Sequence, residues 1–438
     1  LFSRMRKNNT IEFINLGCSK NLVDSEHLSA QLQKLGYNCR HDSDKIMGST
    51  VVVNTCGFIG DAKEESVNTI LNLCELKKKH KIEKLFVMGC LSERYLADLE
   101  QEIPEVDKFY GKFTWKKMIA DLGHSYDDSL STTRDVTTPK HYAYLKISEG
   151  CNRRCSYCAI PIITGPHKSI PMEELVDEAK RLVAMGVKEL QVIAQDLSSY
   201  GKDLYGKVML PELVEKLSDI PGVEWIRLHY AYPSDFPWDL LRVMNERSNV
   251  CKYLDVAFQH ISTGMLKKML RHVTKEDTIE FIERVRREVP DITLRTTFIV
   301  GHPGETEEDF NELLQFVKDT KFDRMGAFAY SEEEGTYSAK HYEDDIPFET
   351  KQERLDMLMK VQERIALQKN GERVGQTMKV IVDREDAEYF ICRTEFDSPE
   401  VDQEVLVKKA DNDMKIGEFY NVEITDCDYF DLFGKVAD

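Results

Sequence analysis

Along the first hundred residues the apolar positions alternate between two spacings. Ile11 to Leu16 is an apolar run of strand length, and Asn21 to Leu35 continues with apolar residues at helical spacing, closed by Gly36. The unit then recurs: Thr50 to Asn54 (TVVVN) is β-branched and precedes a helical stretch from Asp61 to His80, and Lys84 to Met88 (KLFVM) precedes Ser92 to Glu102. Strand–helix units in series predict a parallel α/β layer. Ser125 to Lys140 (SYDDSLSTTRDVTTPK) has no apolar period and reads as a linker.

Beyond it stand six strand candidates: Tyr144 to Ser148, Glu189 to Ala194, Glu224 to Tyr230, Tyr253 to Phe258, Thr293 to Val300 and Arg324 to Tyr330. Helical stretches such as Met172 to Met185, Lys275 to Glu288 and Glu307 to Lys318 separate most of them. Six units are fewer than the eight of a closed (β/α) barrel, so a partial barrel is expected, with its site at the carboxyl ends of the strands. Thr350 to Asn370 reads as one long charged amphipathic helix, ended by Gly371 and Gly375. Five short strands follow, at Thr377 to Val382, Tyr389 to Arg393, Glu404 to Val407, Phe419 to Ile424 and Asp431 to Val436, and predict a small β-barrel. The fold class is therefore α/β multidomain, with expected domains at residues 10–124, 137–368 and 371–438.

Composition narrows the function. With 438 residues, 42% of them hydrophobic, the chain is too long for one core and too apolar for disorder. No apolar run nears the roughly 18–20 residues of a membrane helix, and the basic start, Leu1 to Thr10, lacks the apolar segment of a signal peptide. A cytoplasmic protein with no membrane partner is expected, with Leu1 to Arg4, ahead of Met5, set aside as a processing remnant. Lys plus Arg is 59 against 77 Asp plus Glu, a net charge of −18, which argues against a phosphate backbone as the main partner. From Gly371 onward 18 acidic residues face 8 basic ones, so the small barrel should repel nucleic acid and attract a basic protein. The basic run Lys77 to Lys81 (KKKHK) reads as a solvated helix end.

Eleven cysteines without a secretion signal point to thiol or metal chemistry rather than disulfides. Each strand of the first layer runs into a Gly/Cys pair, placing Cys18, Cys56 and Cys90 where the ligands of an open parallel sheet gather, although 38 and 34 residues separate them. Cys151, Cys155 and Cys158 lie in EGCNRRCSYCAIP, directly after the first barrel strand. Three thiolates on one loop can wrap a cubane cluster and leave its fourth iron open to a small molecule. A zinc site completed by His141 or His167 is the plainer alternative. Cys39, Cys74, Cys251, Cys392 and Cys427 share no such position and read as structural thiols.

The C-x-x-x-C-x-x-C run resembles the radical S-adenosylmethionine (SAM) superfamily. LGCSKNLVDSE (Leu16 to Glu26), NTCGFI with AKEES (Asn54 to Ser66), VMGCLSERY (Val87 to Tyr95), CSYCAIP (Cys155 to Pro161), RTTFIVGHPGETEEDF (Arg295 to Phe310) and GERVGQT (Gly371 to Thr377) resemble its methylthiotransferases, over nearly the whole chain. The resemblance implies an N-terminal methylthiotransferase domain, a radical SAM barrel and a TRAM β-barrel, in that order. It implies two 4Fe-4S clusters and SAM as cofactors, Cys151, Cys155 and Cys158 holding the cluster that binds SAM and Cys18, Cys56 and Cys90 holding the second. A deoxyadenosyl radical would abstract hydrogen from an unactivated carbon, and the second cluster would hold the sulfur transferred to it. Tyr157 stands where the superfamily places an aromatic near the adenine, with ordinary packing the alternative.

QDLSSYG (Gln195 to Gly201), LHYAYP (Leu228 to Pro233), YSEEEGT (Tyr330 to Thr336) and RTEFDSPEVD (Arg393 to Asp402) are similar to the branch that modifies the β-carbon of an aspartate in ribosomal protein S-twelve. The tRNA-modifying enzymes typically carry Asn in place of Asp196. The implied partners are ribosomal protein S-twelve, free or on the ribosome, an electron donor and a sulfur donor, with tRNA disfavoured. A tRNA adenosine methylthiotransferase and a non-catalytic iron–sulfur electron carrier are the competing readings. Thr164, Lys168 and Ile170 depart from the family's R-G-x-x-R-S-R pattern and inherit no role, and no residue is assigned as a general base.

Overall fold

The computed structural model describes residues 9–437; Leu1 to Arg4 lie outside them. Strands β1 (Thr10–Asn15), β2 (Asn38–His41), β3 (Thr50–Thr55), β4 (Lys84–Gly89) and β5 (Lys108–Phe109) form a parallel sheet in the order β2-β1-β3-β4-β5. In β3, Val51 and Val53 pack with Ile70, Leu73 and Val87 on one face, and Val52 with Phe13, Leu28 and Phe86 on the other. A strand covered on both sides has no polar alternation, which is why TVVVN is unbroken; each buried valine contributes about 1.5–3 kcal/mol. Sequence periodicity misses β2 and β5, because NCRH is polar and a two-residue strand has no period.

The second region is a six-stranded parallel sheet in the order β6-β9-β10-β11-β12-β13. Its strands are β6 (Tyr142–Lys146), β9 (Glu189–Ile193), β10 (Trp225–Ala231), β11 (Val250–Val256), β12 (Thr293–Val300) and β13 (Arg324–Ala329). The first lies two residues earlier than expected. Ser148 and Glu149 leave the sheet as β7 (Ser148–Glu149) and pair with β8 (Lys168–Ser169) in a small hairpin. The helix Phe348–Gly371 runs along the edge, burying Leu358 and Ile365. The third region, β14 (Thr377–Glu385), β15 (Tyr389–Thr394), β16 (Val405–Lys408), β17 (Phe419–Cys427) and β18 (Leu432–Val436), closes into the expected five-stranded barrel.

The two outer regions cover opposite ends of the half-barrel. At the amino ends of the strands, Glu189 of β9 accepts from Arg393 of the small barrel at 2.6 Å and from Arg227 of β10 at 3.0 Å. Asp402 accepts from Tyr253 at 2.7 Å, Asp383 meets His141 at 2.8 Å, and Asp397 pairs with Arg324. Acidic groups counted as a surface charge are thus paired inside an interface, which weakens the expectation that the barrel's acidity attracts a basic partner. At the carboxyl ends, Asp24 of helix α1 (Ser19–Lys34) accepts from Lys146 at the end of β6, and Glu333, after β13, accepts from Lys63 at 2.7 Å and Arg94 at 2.8 Å.

The polar stretch Ser125 to Lys140 is a strap rather than a free linker. Arg134, 4% exposed, pairs with Glu26 of α1 and with Glu178 at 3.0 Å, and Thr137 donates to Glu26 at 2.8 Å. Its polarity serves buried hydrogen bonds between two regions, a use that apolar periodicity does not register.

Candidate active site

The loop after β7 holds Cys151, Cys155 and Cys158. Gly150 has φ +83, and a Cβ there would lie 2.3 Å from the Pro166 carbonyl oxygen, so only glycine lets the loop fold back this tightly. The Arg153 N–H donates to the Cys151 Sγ at 3.4 Å, and Arg271 Nη1 donates to the Cys155 Sγ at 3.4 Å, with the Tyr232 hydroxyl 3.8 Å from the same sulfur. The Tyr232 ring lies between the guanidiniums of Arg153 and Arg271, at 4.2 and 4.0 Å. Arg153 in turn donates to Asp196 at 2.7 Å. Burial pushes the Cys151 thiol up to about 11 and raises that of Cys158 as well. Guanidinium and N–H donors around such sulfurs favour their anionic, ligating form.

Tyr157 is half-buried, its ring edge-on to His302 at 6.5 Å. The positions that depart from the family pattern have local roles or none: Thr164 donates to the Ile160 carbonyl at 3.0 Å, Ile170 packs on the barrel core, and Lys168 is exposed.

The three dispersed cysteines also come together. Cys18 caps the amino end of α1, Cys56 follows β3, and Cys90 opens helix α3 (Cys90–Glu102) directly after β4; α2 (Gly60–Lys78) lies between the last two. Gly89 has φ +105, and a Cβ there would lie 2.5 Å from Asn54 Oδ1. In each triad one cysteine, Cys151 or Cys90, thus follows a glycine whose positive φ turns the chain into it. Asn21 ties the group: its Nδ2 donates to the Thr55 carbonyl at 3.0 Å, and its Oδ1 accepts from Cys90 Sγ at 3.5 Å and Lys112 Nζ at 2.8 Å. Burial pushes the Cys90 thiol up to about 12, and the charges of Cys18 and Cys56 add to the effect. At Cys18 desolvation would do the same, but Lys20, Lys112 and the N–H groups of Asn21 and Lys20 outweigh it and hold the thiol below its ordinary value.

The dispersed triad meets the barrel loop at Cys90. Cys90 packs against Ala159 and Ile163, in the segment directly after Cys158. Beside it Lys112 donates to Asp24 at 2.7 Å and Lys146 to Glu149 at 3.0 Å, and burial of Asp24 is outweighed by the two lysines, which hold its carboxyl down at about 2. Sequence reasoning missed this group, because Lys112 stands in GKFTWKK, where nothing marks it as buried.

The donor set fits iron–sulfur clusters. Among the described residues no three His, Cys, Asp or Glu side chains stand close enough around one point to hold a single ion. A cubane asks for a different arrangement, each thiolate on its own iron, so the sulfurs ring the cluster rather than converge. Of the two histidines proposed for zinc, His141 lies at the opposite end of the barrel against Asp383, and His167 lies beside the cysteine loop, its backbone N–H donating to Asn152 Oδ1 at 3.1 Å and its Nε2 3.1 Å from Ser169 Oγ. The barrel mouth also carries buried polar atoms with no partner among the described residues: Ser148 Oγ, Gln195 Oε1 and Gln259 Oε1. Such atoms call for water or a polar ligand.

A thiol loop at the mouth of a parallel half-barrel is the arrangement of a radical SAM enzyme, and residues 145–317 match the radical SAM superfamily. Residues 374–437 match the TRAM domain, and residues 10–111 match a family described as uncharacterized protein family UPF0004. The radical SAM methyltransferase TsrM from Kitasatospora setae shares the fold, with a TM-score of 0.53 at 15% identity over 73% of this chain and 72% of that one. The cobalamin-dependent radical enzyme OxsB does so with a TM-score of 0.51 at 15% identity over 81% and 56%.

Sequence relatives narrow the class. The chain is 64% identical to a Parabacteroides distasonis protein named ribosomal protein uS12 methylthiotransferase RimO, over 99% of this chain and all of that one. It is 59% identical to the Porphyromonas gingivalis protein of the same name, over 99% and 100%, and 51% identical to that of Cytophaga hutchinsonii, over 98% of each. The chain belongs to the RimO family of radical SAM methylthiotransferases, whose cofactors are two 4Fe-4S clusters and SAM.

Proposed function

We propose that this chain adds a methylthio group to the β-carbon of an aspartate of ribosomal protein uS12, in the cytoplasm, with Cys151, Cys155 and Cys158 holding the SAM-binding cluster and Cys18, Cys56 and Cys90 the second. The observation that carries the reading is that Cys90 of one triad packs against Ala159 and Ile163, directly after Cys158 of the other. When bound, the first cluster supplies the electron that cleaves SAM and the second the sulfur that reaches the substrate carbon. An electron donor and a sulfur donor complete the reaction from outside the chain.

The chain's own residues bind and shield. Arg271 donates from its guanidinium to the Cys155 sulfur, the Arg153 backbone N–H donates to the Cys151 sulfur, and Asp196 fixes the Arg153 side chain by its Nε at 2.7 Å. Tyr157 stands beside the Cys158 ligand to pack against the adenine of SAM. The N-terminal region lies across the barrel mouth, joined through Glu333 and Asp24, and keeps bulk water away from the reacting carbon. The uS12 name shared by relatives of the same length supports the substrate, as do the four phrases at Gln195, Leu228, Tyr330 and Arg393.

The test is a paired mass-spectrometric assay. Anaerobically reconstituted protein receives SAM, sulfide and a strong reductant, with a uS12 peptide in one vessel and unmodified tRNA in the other. A methylthio group on the peptide aspartate alone is expected; gain on tRNA alone moves the chain to the tRNA-modifying branch. Cys155→Ala should abolish SAM cleavage, whereas Cys56→Ala should retain it and lose methylthiolation. Modification by both variants would end the two-cluster assignment.

A further inference from the structure

We infer that Lys20 anchors the side-chain carboxylate of the substrate aspartate, at a point between the Cys18 triad and Tyr230 of the barrel. The inference rests on the function proposed above and names the group that recognises its substrate.

Three lysines meet where the N-terminal region covers the barrel mouth. Lys112 and Lys146 are paired, both with Asp24 and Glu149. Lys20 is different. It is 9% exposed, yet among the described residues no carboxylate, carbonyl or hydroxyl accepts from its ammonium, and its recorded contact is the Tyr230 ring, whose centroid lies 3.6 Å from Nζ. The ammonium nitrogen itself is not fully enclosed, so its three donors remain reachable from outside the chain. An aromatic face offsets part of the charge and satisfies none of the hydrogen bonds. The charge of Lys20 favours the Cys18 thiolate, while its hydrogen-bond donors stay available to an entering group with acceptor oxygens.

Tyr230 is held at this point by its backbone. It has φ +67, a left-handed conformation that bulky residues seldom adopt, at an irregularity in the pairing of β10 with β11 between Leu228 and Ala231. Its N–H turns to Asp255 Oδ2 at 3.4 Å, and its side chain remains 39% exposed. Strain of this kind persists where the surroundings enforce it and tends to mark functional positions. The pair is thus one cation with no acceptor oxygen among the described residues and one accessible ring, contributed by the two regions that carry the two triads.

The anion expected here is a carboxylate. In aspartate the carboxylate carbon is bonded directly to the β-carbon, so holding its oxygens places the reacting carbon one bond away. Lys20 stands two residues from Cys18, so the anchored carbon is presented beside the triad assigned to sulfur transfer. Fixing the carbon in this way is a positioning effect. It also gives specificity, since an asparagine amide offers the ammonium a weaker, neutral acceptor.

The experiment compares a uS12 peptide carrying the aspartate with the same peptide carrying asparagine, using reconstituted wild type, Lys20→Met and Lys20→Arg. Binding is read by fluorescence anisotropy and modification by mass spectrometry. Wild type should prefer the aspartate peptide by roughly tenfold or more in binding. Lys20→Met should erase most of that preference, and Lys20→Arg should restore part of it. An unchanged aspartate-to-asparagine ratio in Lys20→Met, or equal weakening of both peptides, overturns the anchor while leaving the methylthiotransferase reading in place. If wild type modifies neither peptide, the substrate reading fails and the anchor with it.

Discussion

The two ends of the half-barrel are both closed by another region through buried ionic contacts, and they differ in how completely those contacts are satisfied. At the amino end Arg227 and Arg393 converge on Glu189, Arg295 reaches Asp255 and Asp402, and Arg324 pairs with Asp397. Arg227 places its remaining donors on the Glu395 and Thr394 carbonyls. A cleft of about 460 Å³ opens there, but its Arg324 and Lys369 are already taken by Asp397 and Asp323. At the carboxyl end, among the described residues, Lys20 has no acceptor oxygen and Ser148, Gln195 and Gln259 each leave a buried polar atom unmet. Buried polar groups are nearly always paired in a finished joint. The amino end is therefore a structural joint, and the carboxyl end is a binding site completed by what enters it.

The largest expected effect breaks the joint. Arg393→Ala leaves the fully buried Glu189 with Arg227 alone and should lower unfolding free energy by about 3–5 kcal/mol, the range for breaking a buried ion pair. Denaturant unfolding with fluorescence detection reads it. Lys20→Met, at the other end, removes no ion pair and should cost under ~1 kcal/mol in the same measurement. Equal losses would erase the distinction between the ends.

Titration offers a second separation. His302, at the carboxyl end, is fully buried against Ser338 Oγ at 3.0 Å with no carboxylate in hydrogen-bond contact, and burial pulls its pKa down from 6.5 to about 4. His141, at the amino end, has Asp383 at 2.8 Å. A depressed histidine favours the neutral form in the folded state, so the stability it contributes is present above pH 6.5 and is lost as pH falls toward 4. The shift corresponds to about 3 kcal/mol by the low end of that window. Unfolding free energies across the window should fall more steeply in wild type than in His302→Gln, and parallel curves would show that burial does not hold this imidazole neutral.

What was legible in the sequence follows from what is local. TVVVN and KLFVM announce strands covered on both faces, and Cys56 and Cys90 stand directly behind them, while Cys151, Cys155 and Cys158 share one short run, so the six cysteines stand out by local position alone. The joints are not local. Arg393 meets Glu189 across 204 residues and Lys112 meets Asp24 across 88, and whether a charge is paired depends on what folds against it. QDLSSYG, LHYAYP, YSEEEGT and RTEFDSPEVD resembled one branch of a family, yet nothing in them showed that Asp196 holds Arg153, Tyr232 approaches Cys155, Glu333 joins the N-terminal region, or Asp397 docks the small barrel. A count of acids is blind for the same reason, since it does not tell which carboxylates turn inward. Lys20 stood beside Cys18 in LGCSKNLVDSE and was indistinguishable from a paired lysine.

The smallest effect expected tests whether the joint owes its strength to burial or to charge. Lys379 of β14 reaches Glu224 at 3.3 Å across the same amino-end interface, with both side chains about half exposed at 46% and 50%. Water and salt screen such a pair, and holding two long side chains in place costs entropy, so Lys379→Ala should lower stability by only about 0–1 kcal/mol. Its ammonium also lies 4.3 Å from the centre of the Phe419 ring, which keeps the expected value above zero. A loss as large as that of Arg393→Ala would mean that the interface is held by its overall charge, and the contrast between a satisfied and an unsatisfied end would then no longer explain its stability.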